Sequence, residues 1–322
     1  MKEVYIHIGY PKCLSTTIQR SFFEKHPGIN FAGVGVEDNI SYRNKDIEYG
    51  FEVLLKYASN VFWENHKKKF KDVVVNFVEE SGAKKPVFSS EHLSMNFSFQ
   101  GIENLIKYER LNEVFSNYTI KILVIHRDPI SFIRSLYKEY LKMGYKESYS
   151  DYLRWILTFQ DRNFLPDLNY ELKINSLSGF FGRQNITSLS FESIIERGVE
   201  TELKQSLTNW LKLNSKDCDN LNIGNENPSL SQEEAAKLLI YNKKNPRGMG
   251  LAQTEPFERH RSRLQYRYSG LDYSEKEIFS NVVDKRKALE GIKSMTKPKD
   301  VNFQDSNALE EEILNTIASF GS

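Results

Sequence analysis

The feature that most constrains the fold is the alternation of strand-like and helix-like segments along the chain. Short apolar runs typical of buried strands are separated by longer segments with helical periodicity. The predicted strands lie at about 3–9, 29–35, 86–90, 119–126 and 186–191, and helical segments at about 15–25, 46–80, 100–116 and 129–143. Strands separated by helices need crossover connections, so the sequence predicts an α/β fold whose central, mostly parallel sheet is flanked by helices.

The chain has 322 residues, which is enough for one such domain with a helical extension. We predict a single domain, with an α/β core over residues 1–195 and a mainly helical part over 196–322 that carries a basic loop near 242–250. The net charge is +1, so no global field attracts nucleic acid or an acidic membrane. Any anion-binding site must therefore be local.

The sequence also predicts a reducing, cytoplasmic environment. The two cysteines, Cys13 and Cys218, are too few and too far apart in sequence for a disulfide framework or a metal cluster. The N-terminus leads directly into the first predicted strand, and no run of about eighteen apolar residues follows. We expect no metal, no nucleic-acid partner and no transmembrane segment, and the sequence does not indicate an oligomeric state.

The first polar cluster follows the first strand, in the run from Val4 to Gln19. Lys12 and the hydroxyls of Ser15, Thr16 and Thr17 gather where a helix begins, and the unpaired N–H groups of a helix N-terminus attract anions. A nucleotide-phosphate loop of the Walker type needs a glycine pair and a Lys followed at once by Ser or Thr, which this run lacks. The alternative is a turn whose hydroxyls only cap a helix.

Arg127 forms a second cluster at the end of the fourth predicted strand. Pro129 suits the first turn of the helix that follows, and Ser135 lies two turns further on. The planar guanidinium of an arginine suits a phosphate, although a salt bridge for Arg127 and a solvated position for Ser135 are the alternatives. Because ligands in parallel sheets bind beyond the carboxyl ends of the strands, we expect the polar ends of the first, third and fourth strands to converge.

The two clusters resemble sulfotransferases that use 3′-phosphoadenylyl sulfate (PAPS). The run from Tyr10 to Gln19 is similar to the 5′-phosphosulfate loop of that family, and the run from Ile125 to Tyr137 is similar to its 3′-phosphate-binding segment. The resemblance covers about the first 145 residues. It implies that PAPS contacts Pro11, Lys12, Cys13, Leu14, Ser15, Thr16, Thr17, Arg127 and Ser135.

Two details of the loop qualify this resemblance. The family commonly has a glycine where this chain has Leu14, and glycine permits close approach of the backbone to a phosphate. Cys13 lies near the predicted helix N-terminus, a setting that lowers the pKa of a thiol. We expect Cys13 to be accessible, but not to act as a nucleophile.

A general base is expected just after the third strand, in the run Ser89-Ser90-Glu91-His92. An acceptor hydroxyl must lose its proton as it attacks sulfur, and the resemblance implies that a Glu or a His from this region removes it. Adjacent residues of an extended chain point to opposite sides, so only one is expected to face the substrate. We favour Glu91 and keep His92 as the alternative. The alternative is that neither residue is catalytic, and that Glu91 caps a helix while His92 packs beside it.

The basic loop near 242–250 matches the family only in composition. The resemblance implies that Arg247 and Gly248 belong to a segment that closes over the cofactor, and a plain surface loop is the alternative.

Together these features favour a sulfotransferase that moves the sulfuryl group of PAPS to an acceptor hydroxyl by in-line displacement, leaving 3′,5′-adenosine bisphosphate. We expect the acceptor to be a carbohydrate or a glycolipid. A diverged nucleotide kinase of the same fold and a catalytically idle nucleotide-binding protein are the alternatives.

Overall fold

The structure is a computed structural model, and it describes residues 1–33, 44–95, 102–142, 144–160, 163–218, 221–223, 230–245, 289–290, 292–293, 295 and 306–320. The chain divides into two compact units. The first contains residues 1–128 and 167–227, and the second contains residues 129–166 and 228–322. The predicted single domain, with an internal boundary near residue 195, stays a prediction.

The first unit is built on a five-stranded sheet. Its strands are β1 (Glu3–His7), β2 (Ile29–Phe31), β3 (Lys85–Ser89), β4 (Thr119–His126) and β5 (Ile186–Ser190). Every neighbouring pair is parallel, in the order β2-β3-β1-β4-β5. The predicted α/β fold with a parallel sheet is therefore confirmed.

The strand order creates a switch point at the centre of the sheet. The chain leaves β1 towards β2 on one side, whereas it leaves β4 towards β5 on the other. The loops after β1 and β4 consequently diverge, and a crevice outside the carboxyl ends of such strands is where ligands bind in open α/β sheets. The two predicted anion-binding clusters follow these two strands.

Helices cover the sheet of the first unit. Helix α1 (Ser15–Thr17) continues as a π-helical segment (Ile18–Phe23), and α2 (Lys45–Tyr49) continues through a second π-helical segment (Gly50–Leu54) into α3 (Leu55–Tyr57). Among the described residues, further helices of this unit are α4 (Asn60–Glu80), α5 (Asn104–Val114), α8 (Tyr170–Phe181), α9 (Phe191–Arg197) and α10 (Lys204–Leu211), the last preceded by a π-helical segment (Val199–Leu203).

The second unit is helical where the structure describes it. It contains α6 (Pro129–Lys142), α7 (Tyr149–Thr158), α11 (Gln232–Lys244) and α12 (Asn307–Ser319). Glu310 of α12 accepts hydrogen bonds from Arg134 of α6 at 2.7 Å and from Tyr149 of α7 at 2.8 Å. Asn242 of α11 donates to the carbonyl oxygens of Leu141 and Tyr145, both at 2.8 Å. These contacts join the C-terminal helices to α6 and α7.

The sequence predicted one helical region over about 46–80, but the structure breaks it between α3 and α4. Ser59 is the reason, because its hydroxyl accepts a hydrogen bond from the backbone N–H of Phe62 and caps a new helix. Beneath the first of the two parts, Phe51 stacks on Phe88 of β3 with ring centroids 5.4 Å apart. The Phe88 ring also contacts Phe115, at 5.2 Å.

Two helical glycines should respond in opposite ways to alanine. A Cβ at Gly50 would lie 1.9 Å from the Phe70 ring, whereas a Cβ at Gly179 meets nothing within 4 Å. We expect Gly50→Ala to lower the free energy of unfolding by about 1–3 kcal/mol, because the ring must move. Gly179→Ala, at an exposed position of α8, should raise it by about 0.5–1 kcal/mol. Urea unfolding of both variants measures this, and equal stabilities would contradict the packing of Phe70 on Gly50.

Candidate functional site

The loop between β1 and α1 has an unusual backbone. Lys12 and Leu14 both have positive φ values, 63° and 66°, in the left-handed region that glycine prefers. Leu14 immediately precedes the helix, and Ser15 and Thr17 are buried in its first turn. A glycine at position 14 would adopt this left-handed conformation without the steric cost that Leu14 carries.

A buried polar group supports this loop from below. The Nδ1 atom of His7 lies 2.8 Å from the Oγ of Ser89, and Gln19 donates to the same oxygen at 2.9 Å. One serine hydroxyl thus contacts both the His7 ring and the Gln19 amide. Burial lowers the pKa of His7 to about 3, so the ring is neutral. A Cβ at Gly9 would lie 2.2 Å from Nε2, so only glycine fits over this ring.

Arg127 connects the end of β4 to the loop after β1. Its guanidinium donates a hydrogen bond to the carbonyl oxygen of Lys12 at 3.2 Å, and it lies over the Phe191 ring at 4.3 Å. The backbone carbonyl of Arg127 accepts a hydrogen bond from the Tyr170 hydroxyl. The Nε of Arg127 is buried and has no hydrogen-bond partner among the described residues. Arg127 is therefore held in place while its buried Nε–H donor is unused by the described residues.

Glu91 comes to the loop from the end of β3. It begins a 3₁₀ turn (Glu91–Leu93) that is fixed to the loop, because the Ser94 hydroxyl lies 3.2 Å from the carbonyl oxygen of Gly9. The Ser15 hydroxyl is within hydrogen-bonding reach of the Tyr10 carbonyl oxygen, at 3.3 Å, and of the Glu91 carboxylate. A carboxylate thus lies beside the first hydroxyl of α1.

Burial dominates the electrostatics of this site. It raises the pKa of Glu91 to about 7, although the hydrogen bond with Ser15 and the charge of Lys12 act in the opposite direction. The half-buried Glu91 can therefore both accept and release a proton near neutral pH. The expected accessible thiol at Cys13 is wrong, because this side chain is fully buried and burial raises its pKa despite the nearby Arg127.

The structure thus brings together most of the residues that the sequence singled out. Within the first unit lie Pro11, Lys12, Cys13, Leu14, Ser15, Thr16, Thr17, Glu91 and Arg127. Ser135 lies in the second unit on α6, where its buried hydroxyl has no hydrogen-bond partner among the described residues. The side chain of His92, and Arg247 and Gly248 altogether, lie outside the described residues. The cofactor-binding roles of all these residues stay predictions.

Other residues at this edge were not predicted as site residues. Tyr170 and Phe191 fix Arg127, and a Tyr or Phe at a strand or helix end gives no signal of such a role in the sequence. Glu52 and Lys56 lie buried next to Ser90, and their spacing of four residues on a predicted helix is the one signal that could have shown an ion pair.

Comparisons with known proteins find likenesses in structure only. No family model matches the chain, and no curated protein matches it. A sulfotransferase from Alicyclobacillus acidocaldarius is similar over 75% of this chain and 93% of its own, with 12% identity and a TM-score of 0.47. A sulfotransferase domain from the curacin biosynthetic pathway is similar over 99% and 98%, with 14% identity and a TM-score of 0.40.

A sulfotransferase domain from the olefin synthase of Synechococcus PCC 7002 is also similar, over 97% of this chain and 94% of its own, with 11% identity and a TM-score of 0.39. All three TM-scores lie below 0.5, so these are likenesses of fold, and they assign no activity to this chain.

The described residues contain neither a membrane-spanning helix nor a cluster of metal-binding side chains. No helix among the described residues is long and apolar enough to cross a membrane. Within the same part of the chain, no three His, Cys, Asp or Glu side chains are grouped so that they could hold a metal ion.

The strain at Leu14 can be measured by comparing two truncations. In an ordinary helix, a protein with Gly is less stable than one with Ala by about 0.5–1 kcal/mol. At a position whose backbone is left-handed, the order is reversed. We expect Leu14→Gly to be more stable than Leu14→Ala by about 1 kcal/mol in urea unfolding. The control is Thr16, in α1, where Ala should be more stable than Gly. The same order at both positions would contradict the backbone conformation of Leu14.

The raised pKa of Glu91 should appear in the pH dependence of stability. The folded protein holds this proton up to about pH 7, whereas the unfolded chain releases it near the ordinary value of 4.5. Ionisation of Glu91 therefore reduces stability as the pH rises from about 4.5 to 7. We expect Glu91→Gln to remove this decline, and to be more stable than the wild type at pH 8 by about 1 kcal/mol or more. Parallel stability curves for the two proteins would contradict the shift.

Proposed function

We propose that this protein is a sulfotransferase that transfers the sulfuryl group of PAPS to an acceptor hydroxyl. The observation that carries the proposal is the hydrogen bond from Arg127 to the Lys12 carbonyl oxygen, because it joins the two clusters that the sequence predicts to bind anions, at the switch point of the sheet. A donor with a phosphate at each end needs such a pair of sites. The motifs themselves resemble those of PAPS-dependent enzymes.

The loop after β1 would hold the 5′ end of the donor. Its half-buried Lys12 supplies a positive charge, and the hydroxyls of Ser15, Thr16 and Thr17 lie in the first helical turn, whose N–H groups have no partners within the helix. PAPS, when bound, supplies a sulfuryl group on a bridging oxygen. Lys12 would offset the negative charge that develops there, and transfer of this kind needs alignment and charge stabilisation more than covalent catalysis.

Arg127 would hold the 3′-phosphate. The fit is supported by its buried, unpartnered Nε and by the contacts with Phe191 and Lys12 that fix the direction of the guanidinium. A preorganised arginine binds a phosphate with little further loss of side-chain entropy. Ser135 would add a hydroxyl donor, as its place in the motif implies, and Arg247 and Gly248 would belong to the segment that covers the donor.

Glu91 would remove the proton from the acceptor hydroxyl. It contacts Ser15 of the loop, and its pKa of about 7 suits a general base that works near neutral pH. His92 is the alternative base. We propose a carbohydrate or a glycolipid as the class of acceptor, and an amine in place of the hydroxyl is the second candidate to assay.

One observation favours a diverged nucleotide kinase as a second candidate. The Ser15 hydroxyl and the Glu91 carboxylate meet at the loop, and such a pair of oxygen ligands could hold Mg²⁺ beside a nucleotide phosphate. The kinase predicts magnesium-dependent turnover of ATP. The sulfotransferase predicts release of labelled sulfate from PAPS, or its transfer, in the presence of a chelator. Binding of 3′,5′-adenosine bisphosphate without either turnover would indicate an idle binding protein.

Lys12→Ala should separate charge stabilisation from binding. Removal of one group that stabilises the transition state costs about a hundred- to a thousand-fold in rate. We expect PAPS turnover to fall by that factor, while calorimetry shows nearly unchanged affinity for 3′,5′-adenosine bisphosphate. Lys84→Ala, at an exposed lysine far along the chain, is the control. Normal turnover by Lys12→Ala would refute the role of Lys12.

Arg127→Ala should instead weaken binding of 3′,5′-adenosine bisphosphate. Loss of a hydrogen bond to a charged group costs about 1.5–3 kcal/mol, which corresponds to roughly ten- to a hundredfold in affinity. Arg127→Lys should recover part of this loss, since it keeps the charge but not the planar fork. The exposed Arg154 gives a matched control, and an effect of Arg154→Ala equal to that of Arg127→Ala would contradict a specific site.

A further inference from the structure

A buried ion pair lies beneath the turn that carries Glu91. Glu52 and Lys56 are 1% and 3% exposed, and they form a salt bridge across one helical turn of the α2–α3 segment. Removing two charges from water is costly, and a buried pair is often no more stable than apolar side chains of the same volume. A contribution to the stability of the fold therefore does not explain why this pair is buried here. Its contacts with neighbouring residues indicate another role.

Ser90 links the pair to Glu91. The Ser90 hydroxyl donates to the Glu52 carboxylate at 3.2 Å, and the Ser90 backbone N–H donates to the His7 carbonyl oxygen at 3.0 Å. Ser90 is fully buried and directly precedes Glu91. It thus holds the start of the 3₁₀ turn between β1 on one side and Glu52 on the other.

The pair also contributes charge to the surroundings of Glu91. The negative charge of Glu52 raises the pKa of Glu91 and the positive charge of Lys56 lowers it, in addition to the stronger effects of burial and of the contact with Ser15. Lys12 faces Glu91 from the loop after β1. Lys107 of α5 also interacts with both members of the pair. Burial lowers the pKa of Lys107 to about 7, and the charge of Lys56 lowers it further, whereas the charge of Glu52 raises it.

Both Glu52, in direct contact, and Glu91, through its charge alone, act on the buried ammonium group of Lys56. Burial lowers the pKa of Lys56 to about 8, so its charge is itself sensitive to both carboxylates. When such groups interact, the charge on each depends on which of the others is ionised. The charges of Glu52 and Lys56 can therefore change how readily Glu91 ionises, and this effect requires no contact between the pair and a substrate.

We propose that Glu52 and Lys56 form a positioning unit for Glu91, which fixes its turn through Ser90 and controls the charge that Glu91 carries. The proposal rests on the proposed function only in that Glu91 is then the general base. The coupling among these three residues is a property of the protein without ligands, and it can be measured without turnover.

The experiment is a carboxyl ¹³C NMR titration of the full-length protein labelled at glutamate, with the Glu91 signal assigned through Glu91→Gln. In Glu52→Gln the Ser90 hydroxyl keeps an acceptor, but the negative charge that raises the pKa of Glu91 is removed. We expect the Glu91 midpoint to fall by about one pH unit. In Lys56→Met two carboxylates remain without the ammonium group, and the Glu91 midpoint should rise by about one unit.

The double variant Glu52→Gln/Lys56→Met tests the coupling and guards against unfolding, because it leaves no buried charge unpaired. Its Glu91 midpoint should lie between those of the single variants. Glu48→Gln is the matched control, since Glu48 is also a buried carboxylate on α2 and lies one helical turn before Glu52. Its Glu91 midpoint should equal that of the wild type.

Two results would overturn the proposal. One is a Glu91 midpoint that stays within about 0.3 pH units of the wild-type value in both Glu52→Gln and Lys56→Met. The other is an equal shift in Glu48→Gln, which would indicate a general loosening of the helix. The midpoints could move as expected while neither the wild type nor any variant transfers sulfate from PAPS. In that case the coupling is supported and the proposed function is refuted. If transfer occurs, the acidic limb of its pH profile should shift with the NMR midpoint.

Discussion

The hydrogen bond between Arg127 and the carbonyl oxygen of Lys12 is the contact on which the site depends. Arg127 follows β4 and Lys12 follows β1, so the bond spans the point where the chain turns in opposite directions from two adjacent strands. Two cationic side chains would repel each other if both pointed into one gap. Here one of them is bound through its guanidinium to the backbone of the other, which makes their proximity a consequence of the fold.

Backbone conformation limits which residues the loop after β1 accepts. The loop follows the sheet closely enough that Gly9 lies directly over the His7 ring, and it then passes through two left-handed residues before the helix begins. A non-glycine residue in that conformation costs about 1–2 kcal/mol. The strain at Leu14 is thus confined to the turn that presents Lys12 and the hydroxyls, a distribution that is common where a loop binds a ligand.

Burial gives the site its acid–base character. Three groups close to the loop, His7, Cys13 and Glu91, are all driven towards their neutral forms, because each is removed from water. Only Glu91 ends with a pKa near 7, since Ser15 and Lys12 partly offset its burial. The same low-polarity surroundings make the charges of Glu52 and Lys56 effective at a distance from any ligand.

Sequence by itself determined the α/β fold, the parallel sheet and the full extent of β4 at Thr119–His126, because these follow from apolar periodicity and from the connections that alternating elements require. It also located Lys12, Glu91 and Arg127 at the ends of three strands. Only the tertiary structure decided that Cys13 is buried, that Leu14 is left-handed, and that Glu52 and Lys56 lie beneath Glu91. The reason is physical: burial and electrostatic coupling depend on residues far apart in the chain, which no local pattern records.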